Sequence, residues 1–263
     1  MTNQLPLFLY LVRAGFRRTL AQRDLLASKV FFLFVVLTVF TFVWRAVIGS
    51  GLRSSVSPES YVWYLLVGEL SLLSVPNVFR EIREEIQSGN IVGKVLRPVW
   101  YPLFSLGEVL GGTLGSIVVM APCGALFVYF VSGAGPDDSV GLAMSILCAP
   151  FAAAIIACLY VLIGLLALWL VDVSAIQWIV SKSFFVFGGL LVPLHLYPEW
   201  FQRIAECTPF YSAVYGNARQ VFGFSTAGFV SEFLLLQFWL GLILFAIWAV
   251  NRKLIRVLNV GGG

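Results

Sequence analysis

Residues 140–171 contain no Asp, Glu, Lys or Arg. A bilayer crossing needs about 20 apolar residues, and this stretch is longer than one untilted crossing yet too short for two plus a turn. It reads as one tilted or Pro150-kinked span. Comparable stretches recur along the chain, and composition shows why they cannot be soluble core. The 263 residues are 60% hydrophobic and 11% charged, with a mean hydropathy of +0.93, whereas soluble domains carry about 25% charged residues. Lipid is the solvent this chain requires.

The expected fold is an all-α integral membrane protein of about six transmembrane helices, forming a single domain over 1–263. Spans are expected at about 30–48, 61–79, 99–132, 140–171, 175–193 and 227–250. Residues 1–29 alternate Leu7, Phe8, Leu11, Val12, Phe16 and Leu20 with Arg13, Arg17, Arg18 and Arg23, the pattern of an amphipathic helix lying in the interface. Because this segment precedes the first apolar run, that run is a retained span rather than a cleaved signal. Pro76 should kink or break the second span. Residues 194–220, rich in aromatics and carrying Pro198 and Pro209, read as an external re-entrant segment.

The net charge of +4 does not indicate nucleic acid, because the basic residues flank apolar runs rather than forming a solvated patch. They mark topology. Arg13, Arg17, Arg18, Arg23, Lys29, Arg80, Arg83, Lys94, Arg97, Arg252, Lys253 and Arg256 fall on one side, and only Arg45, Arg53, Arg203 and Arg219 on the other. The positive-inside rule then places both termini in the cytoplasm. Among the cysteines, Cys123, Cys148 and Cys158 lie in apolar runs and only Cys207 in an aqueous segment, so neither a disulfide framework nor a metal spacing is present.

The most charged stretch, 80–97, places Ile82 and Ile86 at helical spacing among Arg80, Glu81, Arg83, Glu84 and Glu85, with Gln87 following. A short cytoplasmic helix fits, either as a contact surface or as a solvated linker. The following GNIVGK has three residues between its glycines and Val95 after the lysine, so it lacks the phosphate-binding pattern. The energy source must lie elsewhere.

Glu69, Glu108 and Lys182 stand out as charges inside apolar spans. Buried charge in a membrane is expensive and tends to face protein or water, so each is a candidate for the substrate path, with a place at the membrane edge or a structural hydrogen bond as the alternative. Gly107, Gly111 and Gly115 share one helix face, which would let another helix approach closely. Tyr197, Trp200, Phe201, Phe210, Tyr211 and Tyr215 suit an anchoring aromatic belt or an exit gate. His195 has no partner at ligand spacing and is assigned to the interface.

The order of elements resembles the permease of type-2 ABC exporters: an amphipathic entry helix, two spans, a charged cytoplasmic helix, three spans, an external re-entrant segment and a last span. Locally, Gly188, Gly189, Pro193, Leu194, Tyr197, Pro198, Glu199, Trp200 and Pro209 are similar to that family's G-x-x-x-P-L…P-x-W…P segment. The resemblance implies a six-helix half-transporter in a bacterial inner membrane, paired with an identical or sibling permease. It further implies two copies of a separate ATPase that holds the ATP and Mg, while this chain binds no cofactor and catalyses nothing itself. Arg80, Glu81, Ile82, Arg83, Glu84, Glu85, Ile86 and Gln87 would then form the coupling helix. The rival class is an ion-coupled secondary transporter using Glu69 and Glu108, which often shows internal repeats; none is evident here.

Overall fold

A computed structural model describes residues 4–50, 56–95, 100–167, 169–170 and 172–261, with backbone only at 92, 95 and 254–261. Arg53, Arg97 and the side chain of Arg256, which entered the charge count, lie outside the described residues, as do 96–99 of the charged loop. Among the described residues there is no strand. The chain is an all-α membrane protein.

Helix α1 (Leu5–Ala21) starts with Pro6 in its first turn and ends at Gln22, whose backbone leaves the helical region. Helix α2 (Arg23–Gly49) follows directly. Helix α3 (Pro58–Leu73) is capped by Ser57, whose hydroxyl accepts the Ser60 N–H at 3.2 Å. Every residue of α3 from Ser60 to Ser71 is buried, as expected of a helix that is apolar on all faces. Surrounding it are α2, α6 (Tyr101–Ser132), α7 (Ser139–Leu166) and the chain at 209–222.

The second expected span ends earlier than 79. Pro76 disfavours helix at the residue before it, so α3 stops at Leu73 and α4 (Val78–Gln87) begins anew. Gly89, at φ +74°, turns the chain after α4 into α5 (Ile91–Val95). By contrast, α6 and α7 each run on through an internal proline, Pro122 and Pro150.

Among the described residues, five helical stretches are long and apolar enough to cross a membrane: Arg23–Gly49, Pro58–Gln87 (α3 and α4 taken together across the break at Pro76), Tyr101–Ser132, Ser139–Leu166 and Thr226–Lys253. The stretch expected as a span at 175–193 differs. Its helix α8 (Ser174–Val186) has 13 residues, about 20 Å at 1.5 Å per residue, short of a hydrocarbon core of about 30 Å. The helix ends because Gly188 lies against the Phe184 carbonyl, where no Cβ fits, and Gly189 takes φ +61°. The chain nevertheless passes from end to end of the bundle here. Ser174 touches Arg83 of α4, whereas His195 lies 3.3 Å from Tyr61 near the start of α3. This crossing is half helix and half irregular chain, and Gly188, Gly189 and Leu190 are buried in protein, the condition under which irregular backbone is tolerated at membrane depth.

After this crossing come a 3-10 turn at Leu194–Leu196, α9 (Glu199–Glu206), α10 (Pro209–Tyr211) leading into a π turn at Ser212–Gly216, a 3-10 turn at Arg219–Phe222, and α11 (Thr226–Gly261). Leu33, Leu37, Leu66, Met120, Ile155, Ile156 and Phe184 form the centre of the core. Phe31, Phe42, Phe130, Leu147, Leu234 and Phe245 point outward, matching an apolar surround.

Candidate functional site

Charge on α4 is distributed by face. Phe79 and Ile82 are buried; Phe79 packs with Ile163 and Val173, and Ile82 seats on Gly164 of α7, where a Cβ would come within 2.9 Å of its own. Arg83 donates to the Ser174 hydroxyl and lies 3.8 Å from Asp172. Asp172 in turn accepts the Ser174 N–H at 2.9 Å, and that bond holds its carboxyl below the usual carboxylate range. Glu85 accepts from Lys94 and, at 3.0 Å, from the Tyr101 hydroxyl. The helix is thus pinned at Ile82, Arg83 and Glu85, leaving Arg80, Glu81, Glu84 and Gln87 exposed. Arg80 and Glu84 form an i,i+4 pair at 2.9 Å, of a kind worth about 0.3–0.5 kcal/mol.

The three charges singled out in the spans are not brought together. Glu69 lies inside the bundle, 3% exposed, with no hydrogen bond or ion pair to a described residue. Glu108 lines a cavity beside α4. Lys182 is exposed on α8, over the rings of Phe185 at 5.2 Å and Trp178 at 5.9 Å, among exposed Trp178, Ile179 and Val186. Within one copy, these residues line no common path.

Gly107, Gly111 and Gly115 all face α1. A Cβ at Gly107 would meet that of Leu11 at 2.8 Å and one at Gly115 the Phe16 carbonyl at 3.1 Å, while Gly111 lies directly against the Val12 carbonyl. Gly15 of α1 returns the approach by lying against the Glu108 carbonyl. Lipid offers no hydrophobic drive between helices, so such close backbone contact is what joins them.

The aromatic residues at the opposite end do not form one belt. Pro193 leads into the 3-10 turn, Pro198 precedes α9, and Trp200 on α9 is 65% exposed. Pro209 then starts an inner limb in which Tyr211 and Tyr215 are buried. Gly141 of α7 lies against the Gln220 carbonyl, and Ser145 donates to the Asn217 carbonyl at 2.8 Å. Asp138 caps α7 at Gly141 and also accepts the Phe224 N–H at 2.7 Å. These bonds, Gly141 first, hold its carboxyl below the ordinary value. His195 sits between the hydroxyls of Tyr61 and Tyr215, each at 3.3 Å, and desolvation lowers its pKa.

Sequence reasoning passed over Glu232 of α11. Its carboxylate accepts from Tyr211 at 3.0 Å and pairs with Arg219 at 3.1 Å. The signal was the one that marked Glu69, a lone acid in an apolar run. Lys29, treated as a topology marker, in fact reaches inward to the Ser74 carbonyl at 3.3 Å and the Ser116 hydroxyl at 3.4 Å.

Residues 6–222 match the family model described as ABC-2 type transporter. That match spans everything from α1 to the end of the inner limb. The chain belongs to the ABC-2 type transporter family. A comparison with curated proteins found no match. As an ABC-2 type transporter, the chain is a multi-pass ABC transporter permease, and membership implies association with an ABC ATPase.

Proposed function

We propose that this permease is half of an ATP-driven exporter, with α4 as the coupling helix that a separate ATPase grips. The pinned and exposed faces of α4 support the reading. Ile82 and the Arg83–Ser174 contact tie the helix to α7 and α8, so a push on Arg80, Glu84 or Gln87 is passed to the bundle instead of being absorbed by a loose loop. In this reading both termini and α4 are cytoplasmic, in a bacterial inner membrane, and two ATPase copies hold the ATP and Mg. The chain itself carries out no chemistry. The outward position of Lys182 favours a path completed by a second permease, identical or a sibling.

Co-reconstitution in liposomes with the partner ATPase tests the coupling. Glu84→Lys combined with Glu81→Lys should leave membrane insertion unchanged yet reduce ATP-dependent transport about tenfold or more, because opposed charges at a docking surface become like charges costing several kcal/mol. Transport by the permease alone under a proton gradient would overturn the reading in favour of an ion-coupled carrier.

A further inference from the structure

Between α1, the start of α2, α6 and the turn joining α3 to α4 lies a cavity of about 320 Å³, within the size range of small-molecule sites. Its wall carries two cations, Arg18 and Lys29, and two carboxylates, Glu81 and Glu108. Arg18 and Glu81 attract one another across the cavity without closing into a contact pair. Among the described residues, Arg18, Glu81 and Glu108 form no ion pair within 4.0 Å and no side-chain hydrogen bond. Lys29 makes two hydrogen bonds, to Ser74 and Ser116, of the three its ammonium can donate. The rest of the wall includes Leu25, Leu26, Val75 and Val109.

We propose that this cavity binds the headgroup of a zwitterionic phospholipid carrying a primary ammonium. Lys29 and Glu108 are half-buried beside the apolar wall, where charge is poorly solvated, while Arg18 and Glu81 stand exposed at the mouth, and a ligand bearing both signs satisfies all four together. A phosphate suits the guanidinium fork of Arg18 and the remaining N–H of Lys29. The ammonium N–H groups suit Glu81 and Glu108, which as carboxylates only accept. A quaternary headgroup offers no N–H to them, and an anionic headgroup without an ammonium meets two uncompensated acids. A lipid rather than a soluble zwitterion follows from the cavity's rim. Leu25 both lines the cavity and is 50% exposed, and Phe31 and Phe32 continue that apolar surface along α2, giving an acyl chain a route outward. The site touches α1, α4 and α6, so an occupant bridges the entry helix to α4; its existence does not depend on ATPase docking.

Native mass spectrometry of the full chain in micelles provides the test, with palmitoyl-oleoyl phosphatidylethanolamine, phosphatidylcholine and phosphatidylglycerol offered at equal concentration. Phosphatidylethanolamine should be retained about tenfold over phosphatidylcholine, the scale of one hydrogen bond to a charged acceptor. Glu81→Gln with Glu108→Gln should bring that ratio close to one without reducing phosphatidylcholine retention. Should the double variant fold poorly, Glu108→Gln alone should lower the same ratio. Equal retention of all three lipids, or preference for phosphatidylglycerol, overturns the proposal. So does displacement of phosphatidylethanolamine by equimolar glycerophosphoethanolamine, which would assign the site to a soluble ligand.

Discussion

Gly111 of α6 rests against the backbone carbonyl of Val12 of α1, with no room between them for a Cβ. The entry helix is thereby part of the bundle, fixed at the same helix whose Glu108 faces the cavity beside α4. Because the approach is backbone to backbone, no side-chain rotation relieves an added atom, and overpacking of this kind costs about 1–3 kcal/mol. Gly111→Leu should therefore lower the yield of folded protein and its thermal midpoint in detergent. Gly241→Ala on α11, where nothing lies within 4 Å, should leave both unchanged. A normal midpoint for Gly111→Leu would show that α1 can leave α6 freely.

The proposed orientation predicts which thiols an impermeant reagent reaches. Cys207 is exposed at the end of α9, whereas Cys148 and Cys158 are buried. In whole cells, a variant retaining only Cys207 should be labelled from outside. Gln87→Cys, at the exposed end of α4, should be labelled only after the membrane is opened. The reverse pattern would invert the topology.

Asp138 gives a pH dependence with a definite sign. Its folded-state pKa lies below the ordinary value because Gly141 and Phe224 donate to the carboxylate. That stabilisation is fully present above the unfolded-state value of about 3.9 and is lost as pH falls through it toward the lower folded value. The thermal midpoint should drop in that acidic window, and Asp138→Ala should flatten the drop. The same substitution should cost about 1 kcal/mol at neutral pH through loss of the α7 cap. An unchanged acid profile in the variant would remove Asp138 from the account.

Much of this architecture is legible in one dimension. Long charge-poor runs marked α2, α6, α7 and α11, because a lipid solvent forces apolar side chains into nearly unbroken stretches. Pro76 marked the break before α4, and the four-residue glycine repeat marked a contact face on α6. The alternation of Ile82 and Ile86 with charges foretold an amphipathic α4, since helical spacing reports which side is buried.

Helical spacing does not report what the buried side meets. That the glycine face belongs to α1, that Arg83 anchors α4 to Ser174, and that Glu232 pairs with Arg219 are contacts between elements, decided by packing. The same holds for the crossing expected as a helix at 175–193. Its apolar composition is right for a span, but Gly188 must pass the Phe184 carbonyl and Tyr64 donates to the Gly189 carbonyl at 2.7 Å, so neighbouring protein supplies a partner for backbone that the helix no longer provides. Sequence therefore determined the solvent, the all-helical response to it and the amphipathic character of α4. Tertiary structure alone separated Glu69, Glu108 and Lys182, and gathered Arg18, Lys29, Glu81 and Glu108 around one cavity, because each lies on a different stretch of chain and only close packing brings such stretches within reach.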